Sequence, residues 1–294
     1  MAASKNWVTC DWAPSSLPDG GAPVVVTSTA DRPKHLALND THVFFLHPLS
    51  AQVWRAPKTG GPAEWVPGTG WQLGDGTSLA VDGDSVYWAV SESVMRMALG
   101  STNEQVLISG LIGALVIAID ATYLYVGEWG AGRILRVVKT GGPVESLASG
   151  NWHPAAIAVD GDGVYWSTSD GTAMSVPLSG GTPVTLGACG GPLAADATSV
   201  YCNAGTGLAR ISKSGGPLQV LAAGAFAAAL ATDGAFVYFC TTKVERVPVG
   251  GGPVTTIAEV PSPESVVLDA TGVYWSTVGP EINGMCGHVM MAAK

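Results

Sequence analysis

The chain has little charge. Asp, Glu, Lys and Arg make up 13% of its 294 residues, and 23 acidic residues outnumber 14 basic ones for a net charge of −9. Such a balance supplies no basic face for a phosphate backbone, so nucleic acid is not an expected partner. It argues equally against docking on anionic lipid. Long hydrophobic runs are also missing. A bilayer span needs ~18 apolar residues, and the longest candidate, residues 111–119, falls short, so no membrane insertion is expected. The first residues, Met-Ala-Ala-Ser-Lys-Asn-Trp, carry no apolar export core. The expectation is a secreted, periplasmic or cell-surface protein after signal removal, with a cytoplasmic one as the alternative.

Cysteines are few and never spaced C-x-x-C, which weighs against zinc-site and thioredoxin-like chemistry. They are Cys10, Cys189, Cys202, Cys240 and Cys286. Cys189 and Cys202 can meet across an antiparallel hairpin, Cys10 and Cys286 form a second candidate pair, and an odd total leaves one thiol over. The nucleophile elbow G-x-S-x-G, the zinc motif H-E-x-x-H and a phosphate-binding glycine loop are all absent.

Glycine (39) and proline (19) are abundant, as a chain of many tight turns requires. A motif recurs seven times: an Asp or Asn, three turn residues, then a hydrophobic–aromatic pair. It appears at Asn39/Val43-Phe44, Asp82/Val86-Tyr87, Asp120/Leu124-Tyr125, Asp160/Val164-Tyr165, Asp196/Val200-Tyr201, Asp233/Val237-Tyr238 and Asp269/Val273-Tyr274, at intervals of 36 to 43 residues. A period near ~40 in a Gly-rich β chain marks four-stranded blades. The fold class expected is all-β: a seven-bladed β-propeller of four-stranded antiparallel blades.

The fourth unit is the clearest. Residues 155–159 are apolar throughout, as a strand packed on both sides should be. Asp160 opens a tight turn, and Val164-Tyr165-Trp166 forms a second strand rich in β-formers. Residues 174–178 make a third, Ser179-Gly180-Gly181-Thr182-Pro183 a turn, and Val184-Thr185-Leu186 the outer strand. Pro beside the Gly-Gly turn suits an edge strand. Third strands carry Arg55, Arg96, Arg136, Arg210 and Arg246, read as a solvated outer face.

The seventh unit ends at Lys294 with a third strand and no fourth. Gly20-Gly21-Ala22-Pro23-Val24-Val25-Val26-Thr27 matches Gly251-Gly252-Pro253-Val254-Thr255-Thr256-Ile257. The N-terminal strand is therefore expected to complete the last blade. Residues 1–18 are expected as a tail and 19–294 as one propeller domain.

In propellers, ligands usually sit over the axis where inner strands start and second strands end. The aligned inner-strand starts are Lys34, Thr77, Leu115, Ala155, Gly191, Ala228 and Glu264. The second-strand ends are His47, Val90, Glu128, Thr168, Ala204, Thr241 and Thr277. Few of these ionise, whereas a catalytic or metal-binding axis usually gathers several carboxylates or imidazoles. The candidate ligand-binding cluster is Lys34, His35, His47, Glu128 and Glu264, joined by Trp71, Trp129, Trp152 and His153. Lys34 and Glu264 lie on neighbouring blades and can form an ion pair. His47 and Glu128 are the candidate catalytic pair, as base and orienting acid or as metal ligands. The tryptophans can stack on a sugar or an apolar ligand. Asp82-Gly83-Asp84 and Asp160-Gly161-Asp162 faintly resemble calcium loops but lack further oxygen ligands. His42 and His288 are placed away from any site.

The units Val-Tyr-Trp, Arg-Val-Pro-Leu and Gly-Gly resemble YWTD and NHL-type propeller repeats, and the repetitive "VYW" propellers of myxobacterial genomes, over nearly the whole chain. The stretch Val126-Gly127-Glu128-Trp129-Gly130-Ala131-Gly132-Arg133-Ile134 is similar to a blade of the virginiamycin B lyases. Those are seven-bladed, magnesium-dependent enzymes that open a cyclic depsipeptide by elimination. The resemblance implies a glutamate role at Glu128 together with a histidine at the start of the same blade's inner strand. This sequence has Leu115 there, and His153 belongs to the next blade.

The function expected is a binding or scaffolding propeller, a monomer that meets a protein, peptide or glycan on its top face and has no cofactor. The alternatives are a lyase or lactonase-type hydrolase using a divalent cation (magnesium or calcium) at the axis, and a lectin.

Overall fold

The seven motifs fall on seven four-stranded antiparallel sheets, with no helix among the described residues. The computed structural model describes residues 22–29, 32–47, 52–69, 78–90, 92–278 and 286–294. Trp71, Thr77, Cys10 and the expected tail 1–18 lie outside the described residues. Blades one to six occupy 34–65, 79–109, 114–149, 154–187, 190–223 and 229–258. Blade seven is built from 265–293 and closed by the N-terminal strand Val24–Thr29. That strand pairs antiparallel with Gly287–Ala293, from Val24 opposite Met291 to Thr29 opposite Gly287. His288 sits on this third strand, fully buried, with Nδ1 2.9 Å from Ser28 Oγ of the closing strand. Each inner strand packs against the next blade's inner strand, and blade seven's packs against blade one's, so the ring is continuous.

The Val-Tyr-Trp motif is explained by the period of two along a strand. In blade two, Val86 and Trp88 face blade one, while Tyr87 faces blade three. In blade four, Val164 and Trp166 face blade three, and Tyr165 faces blade five. In blade seven, Val273 and Trp275 face blade six, and Tyr274 faces blade one. The core is thus seven apolar layers, each between two consecutive blades.

The recurring Asp organises the opposite end of each blade. Asp82 Oδ1 accepts the N–H groups of Asp84 and Ser85, its Oδ2 accepts the Tyr87 hydroxyl at 2.9 Å, and Lys139 of blade three lies 3.0 Å away. The same backward reach joins Lys58 to Asp269, Lys213 to Asp160, and Lys294 to Asp233. Lys58–Asp269 spans the closure between blades seven and one. The two stretches resembling calcium loops therefore hold a lysine ammonium beside their first carboxylate. The third-strand arginines do more than face solvent. Arg55 pairs with Glu64 and Arg136 with Glu145, each directly opposite on the fourth strand.

Cys189 and Cys202 are disulfide-bonded, and Cys240 is a free, buried thiol. The Cys10–Cys286 pairing falls on Cys10, outside the described residues.

Candidate functional site

Two features occupy the face where inner strands begin. The first is a cavity of about 580 Å³ on the axis, walled by residues at or near the starts of all seven inner strands. Most of its lining residues are aliphatic, Leu79, Val116, Ile157, Leu193 and Leu230 among them, while about half of the surface they present is polar. Its ionisable groups are Lys34, His35 and Glu264, on blades one and seven.

These inner strands do not begin as regular ladders. In blade one, Lys34 pairs with Leu46 and the next pair is Ala37 with Phe44, so His35 and Leu36 are looped out. His35 takes a left-handed φ of 49°, uncommon outside glycine. Enclosure by the surrounding protein lowers the His35 pKa, and the neighbouring Lys34 charge lowers it further. Glu264 takes its ion-pair partner from Arg32, at 3.9 Å. That corrects the expected Lys34–Glu264 pair: the arginine two residues earlier in the chain reaches the carboxylate instead.

The second feature is a rim of three loops across blades three and four. Glu128 is fully buried beneath it. Its Oε1 accepts the Ile112 N–H at 2.8 Å, and its Oε2 meets Arg133 Nε at 2.5 Å. Gly130 N–H donates to Ile112 O at 2.7 Å, and Trp129 N–H to Gly113 O at 3.0 Å. His153 stacks on Trp129 with ring centres 4.4 Å apart, its Nδ1 2.9 Å from Trp129 O. Gly130 has a packing reason: a Cβ there would stand 2.6 Å from Ile112 O. The buried carboxylate thus clamps the loops 110–113 and 129–132, and the imidazole ties in 150–153. Ile112 is left 62% exposed and Trp129 40% exposed.

The structure divides the sequence-derived cluster into groups. Lys34, His35 and Glu264 meet at the cavity, and Trp129 and His153 meet on the rim. Trp152 is half-buried and packs 5.5 Å from Trp166, within the layer between blades three and four. His47 stacks on Trp54 at 5.2 Å. Neither His47 nor Glu128 lines the cavity, and the structure does not bring them together there. No group of three or more His, Cys, Asp or Glu side chains able to hold a metal occurs among the described residues. The residues marked by the lyase resemblance do not fit magnesium: both Glu128 oxygens are engaged and Leu115 supplies no ligand.

Sequence reasoning passed over Ile112 and Phe226. Each is an apolar residue in the short connection between one blade's outer strand and the next blade's inner strand. That placement, read from the repeat, is the signal that could have found them.

No protein-family model matches the chain, and no curated protein matches it. Among solved structures, a streptogramin B lyase matches with a TM-score of 0.71 at 10% identity, over 89% of this chain and 94% of that one. BamB from Moraxella catarrhalis matches with a TM-score of 0.58 at 12% identity, over 91% and 85%. A nidogen/laminin complex matches with a TM-score of 0.53 at 18% identity, over 75% and 77%. At these identities the likeness is one of fold, and the fold hosts unrelated functions.

Proposed function

We propose that this protein is a binding propeller that recognises a protein or peptide through the rim of blades three and four. One observation carries the reading. Among the described residues, seven of the large exposed apolar side chains lie on or beside the outermost strands around the circumference. The other three, Ile112, Trp129 and Phe226, all lie in loops of the top face. Exposed apolar groups gathered on one face mark interaction sites, and aromatic anchors carry much of the energy of such contacts. Glu128 and His153 hold Ile112 and Trp129 in place beforehand, which reduces the ordering cost of binding. A glycan is the second reading, favoured by the partly exposed Trp129 indole backed by an imidazole. The Cys189–Cys202 disulfide supports an oxidising, extracytoplasmic compartment, and we propose that the chain works there as a monomer.

The test is selection of a displayed random-peptide library against the immobilised protein, in parallel with a glycan array. The expected result is a saturable peptide binder that Ile112→Asp and Trp129→Ala each weaken at least tenfold, while Trp65→Ala, on the circumference, changes nothing. Binders indifferent to both rim substitutions would overturn the reading. A glycan hit lost in Trp129→Ala would transfer it to a lectin.

A further inference from the structure

Among the described residues, every Lys and Arg side chain but Lys34 holds a carboxylate, a side-chain amide or an aromatic ring. Arg32 has Glu264 and Arg133 has Glu128, while Lys58, Lys139, Lys213 and Lys294, the girdle that joins neighbouring blades at the opposite end, have their aspartates. Arg55 and Arg136 hold glutamates, and Lys243 holds Glu259. Arg96 and Arg210 hold glutamines, and Arg246 lies over Phe236. In a chain of net charge −9, cations are scarce and nearly all are used. Lys34 is left without such a partner, and it stands in the wall of the axial cavity.

Three further observations bear on that cavity. Glu264, the carboxylate in the same wall, is already matched by Arg32. The bulge at His35 and Leu36, with His35 at φ 49°, sets the chain off its ladder beside Lys34. Bulges of this kind re-aim side chains at sites, and strained backbone persists where its surroundings enforce it. The remaining lining residues are mostly aliphatic, and about 580 Å³ falls within the usual size of a small-molecule pocket.

We propose that the axial cavity is a binding site for an apolar carboxylate, with Lys34 receiving the carboxylate and the aliphatic walls of the other blades receiving the body. The chemistry fits two sources, a free medium-chain acid or the C-terminus of an apolar peptide. The site lies apart from the rim proposed above and stands or falls independently of it.

Isothermal titration of the intact protein with four probes tests this: octanoate, octanol, acetyl-Leu-Val-Leu as the free acid, and the same peptide as its amide. The expected result is saturable one-to-one binding of at least one acid, at least tenfold tighter than its neutral analogue. Lys34→Met should abolish that preference and Lys34→Arg restore it. Ala155→Trp, which fills the cavity from an exposed wall position, should remove binding while leaving the melting temperature near that of the parent. Octanoate binding without the peptide acid assigns the site to free acids, and the reverse assigns it to a C-terminus. Equal affinity for acid and neutral analogue, a preference that survives Lys34→Met, or no saturation by ~10 mM overturns the proposal.

Discussion

Asp269 serves three partners at once. Its Oδ1 accepts the N–H groups of Thr271 and Gly272 and the Thr271 hydroxyl, and Lys58 lies 2.8 Å from Oδ2. Burial alone would raise its pKa, but the Lys58 ammonium and the Thr271 and Gly272 donors outweigh that and hold it well below the usual carboxylate range. Asp82, Asp120, Asp196 and Asp233 are lowered by similar donors against the same desolvation. A folded pKa below the unfolded one stabilises the fold above the unfolded value, and that contribution is lost as pH falls from about 4 toward the folded value. Asp269→Ala should therefore cost about 1–2 kcal/mol at pH 7, chiefly from turn N–H groups left unpaired, and only modestly less at pH 3, which still lies above the folded pKa. Lys58→Met should cost no more than about 1 kcal/mol, since partly exposed ion pairs contribute little. Urea unfolding at the two pH values checks both, and an Asp269→Ala cost that disappears by pH 3 would contradict the assignment. Cys240 makes a second residue-level prediction. Burial pushes its thiol up to about 12, and thiolate is the reactive form. Iodoacetamide at pH 8 should leave the Cys240 peptide unmodified in the folded protein and modify it fully in urea; rapid labelling of folded protein would contradict its burial.

At the scale of elements, the strands were legible because each reports its own environment. The apolar inner strands, the alternating Val-Tyr-Trp second strands and the Gly-Gly-Pro turns all carry local patterns. So does the closing strand Val24–Thr29, through its match to residues 251–257 of blade six. Removing residues 1–29 should expose the edge of the strand Gly287–Ala293 and uncover Val289 and Met290, both fully buried. The expected result is aggregation or a melting temperature more than 10 °C lower; a truncated protein that melts like the parent would contradict the clasp. Trp166 and Trp275 are likewise fully buried, and replacing either with Ala should cost about 3–5 kcal/mol in denaturant unfolding. The loops were less legible. Glu128 stands at a position that propeller geometry marks as axial. Its rotamer turns it into protein because Ile112 N–H, sixteen residues earlier in the chain, and Arg133, five residues later on the next strand, supply donors there. Position in a repeat fixes where a Cα lies, but the donors around a side chain decide where its carboxylate points. The same reason moved Glu264 from Lys34 to Arg32.

At the scale of the molecule, the repeats specify a closed ring with two unlike ends. At one end the Asp–Tyr–Lys girdle consumes its charges in holding neighbouring blades together. At the other, the connecting loops carry the exposed Ile112, Trp129 and Phe226 and surround the axial cavity. The most repetitive feature of the sequence is thus structural, and the proposed recognition surface is built from residues that break the repeat. That is why the periodicity disclosed the fold and the ring closure fully but the rim only through Trp129 and His153. The measurement that tests this division most directly takes one selected peptide binder and compares the parent with Trp129→Ala on the rim and Lys139→Met on the girdle, by surface plasmon resonance and thermal melting. The account predicts that Trp129→Ala weakens binding at least tenfold with an unchanged melting temperature, and that Lys139→Met lowers the melting temperature with unchanged affinity. Affinity lost in Lys139→Met and kept in Trp129→Ala would contradict it.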